Sequence, residues 1–230
     1  MTQRREQAWR IRHSQRASTG STAAAATPPM EDSGVMDRLR PHLKPPIPGH
    51  EHWPPRENYY EHYALWSALT KPRSYLEIGV LRGWSVMAVL LGWSTIEEIG
   101  LIDNEMYGLT LEEAVGDIRR FRDETRMKGK LKIECLNVDS KDLTSIPFAG
   151  EYDLVHVDGE HSERAVRHDL ELVLPKLTTR GLIIVDDQGG MPQVKAGTDS
   201  FLKDHPELES VHVKTYTGHR LIWWTPLVRR

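Results

Sequence analysis

From Glu57 onward the chain alternates between two hydrophobic rhythms. Apolar residues three and four apart in ENYYEHYALWSAL (57–69), WSVMAVLLGW (84–93), TLEEAVGDIRRFRDETRMKG (110–129), SERAVRHDLELVLPKL (162–177) and VKAGTDSFLKDH (194–205) predict helices. Between them stand apolar runs of strand length: SYLEIGV (74–80), EEIGLID (97–103), LKIECLNV (131–138), YDLVHVD (152–158) and GLIIVDD (181–187). Short apolar strands interleaved with helices predict parallel pairing with helices on both faces. The last two strands, ESVHVKTY (209–216) and HRLIWWT (219–225), are separated only by Thr217 and Gly218. So short a link cannot make a parallel crossover, so these two must form an antiparallel hairpin. The expectation is an α/β doubly wound, mostly parallel seven-stranded sheet with an antiparallel C-terminal hairpin.

The first 56 residues break this rhythm. Residues 1–30 are Arg-rich, then small and polar, and lack the apolar stretch of a secretory signal, which predicts a disordered tail. The same composition is shared by organelle transit peptides. Residues 31–56, with RPHLKPPIPGHEHWPP, are read as an extended proline-rich arm without regular structure, leaving 57–230 as the folded domain. Such an arm makes a homodimer plausible. The net charge of −3 is spread over mixed signs, which excludes a polybasic face for nucleic acid or anionic lipid. No apolar run is long enough to span a bilayer, so a soluble, cytoplasmic protein is expected. A single cysteine, Cys135, rules out an internal disulfide and is expected to pack in a core strand.

In an open α/β sheet, ligands bind beyond the carboxyl ends of the strands. Those ends carry Glu77, Gly79 and Gly83 in EIGVLRGWS, Asp103 in GLIDNE, and Asp139 with Ser140 in NVDSKD. A dinucleotide fingerprint requires a second glycine where Leu81 stands, which disfavours NAD and FAD. Taken together and in this order, the motifs over residues 57–225 resemble the class I methyltransferases that use S-adenosylmethionine. The resemblance implies Glu77 and Gly79 near the methionine moiety, Asp103 on the ribose, and Asp139 with Ser140 near the adenine, with Gly83 a further cofactor-binding position in the same loop.

The fourth and fifth strands end in Asp158 and in Asp186–Asp187. Three carboxylates on neighbouring strand ends repel unless one is protonated or a cation joins them, and a hard divalent ion such as Mg²⁺ suits oxygen ligands. His161 follows Asp158 by three positions, at a helix start that favours the neutral ring of a general base. The stretch DGEHSERAVRHDLELVLPKLTTRGLIIVDD is similar to the metal-dependent sugar O-methyltransferases of macrolide tailoring and their cephalosporin hydroxylase-like relatives. That resemblance implies metal ligation by Asp158, Asp186 and Asp187, with His161 as base, and methylation of a small-molecule hydroxyl of the sugar or vicinal diol type. A metal-independent N-methyltransferase and a non-catalytic cofactor-binding protein are the alternatives. His156 is read as a core histidine with a hydrogen-bond partner, and His168, His205, His212 and His219 as solvated or packed. Tyr59, Tyr60 and Tyr63 are placed in the core or as a lid over the acceptor.

Overall fold

A computed structural model of the protein describes residues 34–42 and 59–225. Contacts divide the chain into Met1–Glu31 and Asp32–Arg230, and everything below concerns the second unit. The expected tail over 1–30, and 31–33 and 43–56 of the expected arm, lie outside the described residues. The part of the arm that is described is not extended. It forms a short helix α1 (Val35–Leu39) and a 3-10 turn (Arg40–His42), burying Met36 and Leu39. The physical reason is local: apart from Pro41, which falls in the 3-10 turn, the arm's prolines come after this stretch, and Met36 and Leu39 are spaced to share one helical face.

Seven strands form one sheet: β1 (Ser74–Ile78), β2 (Glu98–Asp103), β3 (Lys132–Asn137), β4 (Tyr152–Val157), β5 (Leu177–Val185), β6 (Leu208–Val213) and β7 (His219–Trp224). Their order is β3-β2-β1-β4-β5-β7-β6. The first five are parallel, and β7 runs antiparallel to both β5 and β6, joined to β6 by five residues, 214–218, where the sequence pattern leaves two. The helices are α2 (Tyr59–Thr70), α3 (Trp84–Gly92), α4 (Leu111–Glu124), α5 (Glu163–Val173) and α6 (Pro192–Asp204). None of the described helices is long and apolar enough to cross a membrane.

Alternation along each strand divides the apolar side chains between two cores. Tyr75, Leu154 and Ile184 face one side and pack with α1 to α4, while Leu76, Val155, Ile183 and Val185 face the other and pack with residues of α5 and α6. Each helix presents what its layer needs. In α4, Thr110 and Glu113 form a reciprocal capping box, and Leu111, Ala114, Val115, Ile118 and Phe121 make the buried stripe. Cys135, expected in the core, is exposed. β3 ends the sheet, and the alternation of a strand with only one neighbour turns this side chain to solvent.

The layer of α2 on α3 depends on a close backbone approach. A Cβ at Gly92 would stand 2.0 Å from the Ala64 carbonyl oxygen. Gly92→Ala should therefore lower the unfolding free energy by about 1–3 kcal/mol through overpacking. Gly116, in the exposed middle of α4, has open space where a Cβ would go. Gly116→Ala should raise stability by about 0.5–1 kcal/mol by restricting the unfolded chain. Urea titrations of both variants check the pair.

Candidate active site

The strand order reverses between β1 and β4, the position where an open α/β sheet forms its ligand crevice. Parallel strands all end at this edge, and alternation decides which residues meet there. Glu77 and His156 are register partners, and His156 in turn pairs with Ile184. Glu77, His156 and Asp186 are thus the last residues on the face covered by α2 and α3, with Asp158 two positions beyond His156. Buried polar groups need partners, and α2 supplies them. The Tyr63 hydroxyl lies 2.9 Å from His156 Nε2, 3.1 Å from His219 Nε2 and 3.0 Å from Asp186 Oδ2, to which it donates. Glu77, 1% exposed, accepts from the Ser85 and Tyr75 hydroxyls and lies 3.0 Å from His156 Nδ1. Burial would lower the pKa of His156, yet the bond and charge of Glu77 raise it to about 9. His156 is the core histidine that the sequence predicts, paired with an acid.

The three aspartates divide into two kinds. Asp186 is 2% exposed and every acceptor position on its carboxylate is occupied. Oδ1 takes the Thr217 hydroxyl at 2.5 Å and the Asp187 N–H at 2.6 Å, and Oδ2 takes the hydroxyls of Tyr59 and Tyr63. Burial pushes this carboxyl up, but His219, His156, Thr217 and Tyr59 together hold it below the usual range. Asp158 and Asp187 instead converge on His161, whose Nε2 is 3.5 Å from Asp158 Oδ1 and 3.2 Å from Asp187 Oδ2. Both acids are raised, by burial first and then by the charge of Asp186. His161 is raised in turn, chiefly by its bond to Asp158. Ligand atoms of Asp158, His161 and Asp187 lie within 4.8 Å of one another, and so do those of His156, Asp158 and Asp186. Asp187 sits in the left-handed region at φ 56°, strained for a residue with a side chain.

The other expected residues line the opposite half of the crevice. Gly79 adopts φ +85°, and a Cβ there would stand 2.0 Å from the Asp158 carbonyl oxygen, so only glycine lets the loop after β1 meet the end of β4. Leu81 takes φ 50°, and Gly83 at φ +69° caps α3 without a side chain. Asp103 braces this loop: its Oδ2 accepts the N–H groups of Val80 at 2.7 Å and Leu81 at 3.0 Å, and its Oδ1 that of Glu105 at 2.6 Å. One acceptor position remains on Asp103. Asp139 caps the 3-10 turn Ser140–Asp142, which buries Ser140. Glu77 is sealed beneath the crevice, bonded to Ser85, Tyr75 and His156.

Pattern reading of the sequence did not single out Thr217 or Asp169, and it read His219 only as solvated or packed. His219 is fully buried and its pKa is lowered to about 4 by burial, so it is neutral. Asp169, on α5, is fully buried too, and burial raises it to about 6. No sequence signal marks these, apart from the lone charge of Asp169 on an otherwise apolar helix face. Tyr63→Phe should destabilise the fold by about 1–3 kcal/mol, because two buried histidines and Asp186 lose a partner at once, as measured by denaturant unfolding. Asp169 is protonated more readily in the fold than in the unfolded chain, so it weakens the fold above pH 6 and ceases to do so as the pH falls toward 4. Asp169→Asn should raise the unfolding free energy at pH 8 by up to about 3 kcal/mol and change it little at pH 4. Thermal unfolding at the two pH values checks the sign.

Residues 76–188 match a protein family described as a methyltransferase domain. No curated protein matches the chain. Among solved structures, the chain is similar to the S-adenosylhomocysteine-bound methyltransferase PaMTH1 of Podospora anserina, at 17% identity and TM-score 0.59, covering 84% of this chain and 88% of that one. An O-methyltransferase from Bacillus cereus in complex with S-adenosylhomocysteine matches at 16% identity and TM-score 0.56, covering 85% and 92%. TomG from Streptomyces achromogenes, an O-methyltransferase of tomaymycin synthesis in complex with S-adenosylmethionine, matches at 16% identity and TM-score 0.56, covering 85% and 91%.

Proposed function

We propose that this chain, whose residues 76–188 match a methyltransferase domain, is a class I S-adenosylmethionine-dependent methyltransferase that methylates a hydroxyl of a small polar acceptor, of the sugar or vicinal diol type, with help from a divalent cation. The observation that carries this reading is the open group of Asp158, His161 and Asp187 at the switch point of the sheet.

The crevice has the donors and acceptors that the cofactor needs. Asp103 keeps an acceptor position for a ribose hydroxyl, the N-terminus of α3 has no side-chain cap and faces a carboxylate favourably, and Asp139 and Ser140 border the adenine end. Bound S-adenosylmethionine supplies a methyl group already activated by a positive sulfur. The protein's part is therefore mainly orientation.

The acid group also fits a cation. Burial and the neighbouring Asp186 leave Asp158 and Asp187 raised, with His161 as their one direct ion-pair partner among the described residues. These two carboxylates would hold the ion, and a divalent cation there lowers the pKa of an acceptor hydroxyl. Asp186, with no acceptor position left, serves as a fixed support and not as a ligand. His161 removes the proton from the attacking hydroxyl. Neutralising Asp158 removes the largest cause that keeps a proton on this ring, which frees it to act as a base.

Calorimetric titration of S-adenosylmethionine with and without Mg²⁺, followed by turnover of vicinal diol acceptors, tests the reading. His161→Ala should lower turnover by about 10²–10⁴ while leaving cofactor affinity close to that of the wild type. Asp158→Asn should abolish the stimulation by added cation. Full activity of the wild type in excess chelator would remove the cation from the proposal.

A further inference from the structure

The segment that fixes the direction of Asp187 lies outside the strand that carries it. Asp187 holds a left-handed backbone at φ 56°, a conformation that a residue with a side chain keeps only where its surroundings impose it. Its N–H donates to Asp186 Oδ1 at 2.6 Å, and its carbonyl oxygen accepts the Met191 N–H at 3.1 Å. The next two residues bond to the turn between β6 and β7. The Gln188 N–H donates to the Gly218 carbonyl oxygen at 2.9 Å, and the Gly189 N–H to that of Thr217 at 2.6 Å.

Turn and loop meet backbone to backbone. A Cβ at Gly218 would stand 2.5 Å from the Gly189 nitrogen, and one at Gly189 would stand 2.9 Å from the Thr217 carbonyl oxygen. Thr217 adds a side-chain bond to this contact: its hydroxyl donates to Asp186 Oδ1 at 2.5 Å, the same oxygen that takes the Asp187 N–H. Oδ2 is held by Tyr59 and Tyr63 from α2. The hydroxyl and the carbonyl of Thr217 therefore grip the loop on both sides of Asp187, at residues 186 and 189.

We propose that Thr217 is a positioning residue for the cation: its grip holds Asp187 in the left-handed conformation from which Oδ2 reaches His161, 3.2 Å away, beside Asp158. Thr217 acts through Asp187 and not as a ligand. A hydroxyl that merely kept Asp186 away from the ion would have the opposite effect, because its loss frees an acceptor position on that carboxylate. The presence of a cation rests on the function proposed above; the grip on the loop does not.

Full-chain Thr217→Val, Thr217→Ser, Gly189→Ala and Gly190→Ala are compared with wild type by Mn²⁺ binding in electron paramagnetic resonance, S-adenosylmethionine binding in calorimetry, and amide exchange of the ligand-free chain. Mn²⁺ alone is the probe, a dication with the same preference for oxygen ligands as Mg²⁺. Thr217→Val should weaken Mn²⁺ binding about tenfold, as loss of a group that orients a ligand does. It should also speed exchange of the Asp187, Gln188 and Gly189 amides about tenfold, while the amides of β1 and the affinity for S-adenosylmethionine stay within about twofold of wild type. Thr217→Ser keeps the hydroxyl and should return Mn²⁺ affinity and exchange to within about threefold of wild type. Gly189→Ala, which pushes the turn away, should behave like Thr217→Val and supplies the same reading should the valine variant not fold. Gly190 is exposed with open space where a Cβ would go, so Gly190→Ala should behave like wild type. Mn²⁺ binding by Thr217→Val as tight as in wild type or tighter, a serine variant as weak as the valine one, or a parallel loss of S-adenosylmethionine affinity would overturn the proposal. A wild type that binds no Mn²⁺ would count against the proposed function, while exchange in the ligand-free chain would still decide whether Thr217 holds Asp187.

Discussion

Parallel strands end together, and the charge this gathers at one sheet edge is the condition to which the rest of the molecule answers. β1, β4 and β5 deliver Glu77, His156 and Asp186 to the same face, with Asp158 and Asp187 just beyond. Away from water, like charges repel several times more strongly than in solvent. The fold compensates with donors brought from remote parts of the chain: Tyr59 and Tyr63 from α2, and Thr217 and His219 from the turn and strand that close the sheet.

That compensation is uneven, and the unevenness is what gives the site chemistry. Asp186 has a full set of donors and stays ionised as a rigid floor. Asp158 and Asp187 share one half-exposed histidine, and burial with the charge of Asp186 outweighs it, so their protons are held more tightly than usual. A group that is both exposed to the crevice and electrically unsatisfied is suited to a reacting ligand in a way that a satisfied one is not. The backbone carries part of the same burden: Leu81 and Asp187, one on each side of the crevice, both occupy the left-handed region despite having side chains.

Much of this was visible in the order of residues. The strand and helix rhythm, the C-terminal hairpin and the acids at successive strand ends agree with the structure, because periodicity and turn chemistry act over a few residues. The pairing of His156 with a buried partner was legible too, since a histidine inside an apolar strand must be satisfied. Asp103 was recognised as a crevice residue, but its bracing of Val80 and Leu81 was not, because that depends on two neighbouring strands ending level.

Other features lay out of reach of any local pattern. The exposure of Cys135 follows from β3 having a neighbour on one side only, and the burial of Met36 and Leu39 from a surface that α2 and α3 create. Three aspartates that look alike in the chain differ in the fold because hydrogen-bond saturation is a property of surroundings. The hydroxyls that occupy Asp186 come from positions 59, 63 and 217, and only packing brings them to one carboxylate. Local composition thus settles which chemical groups arrive at the sheet edge, while long-range contact settles which of them remain free to act.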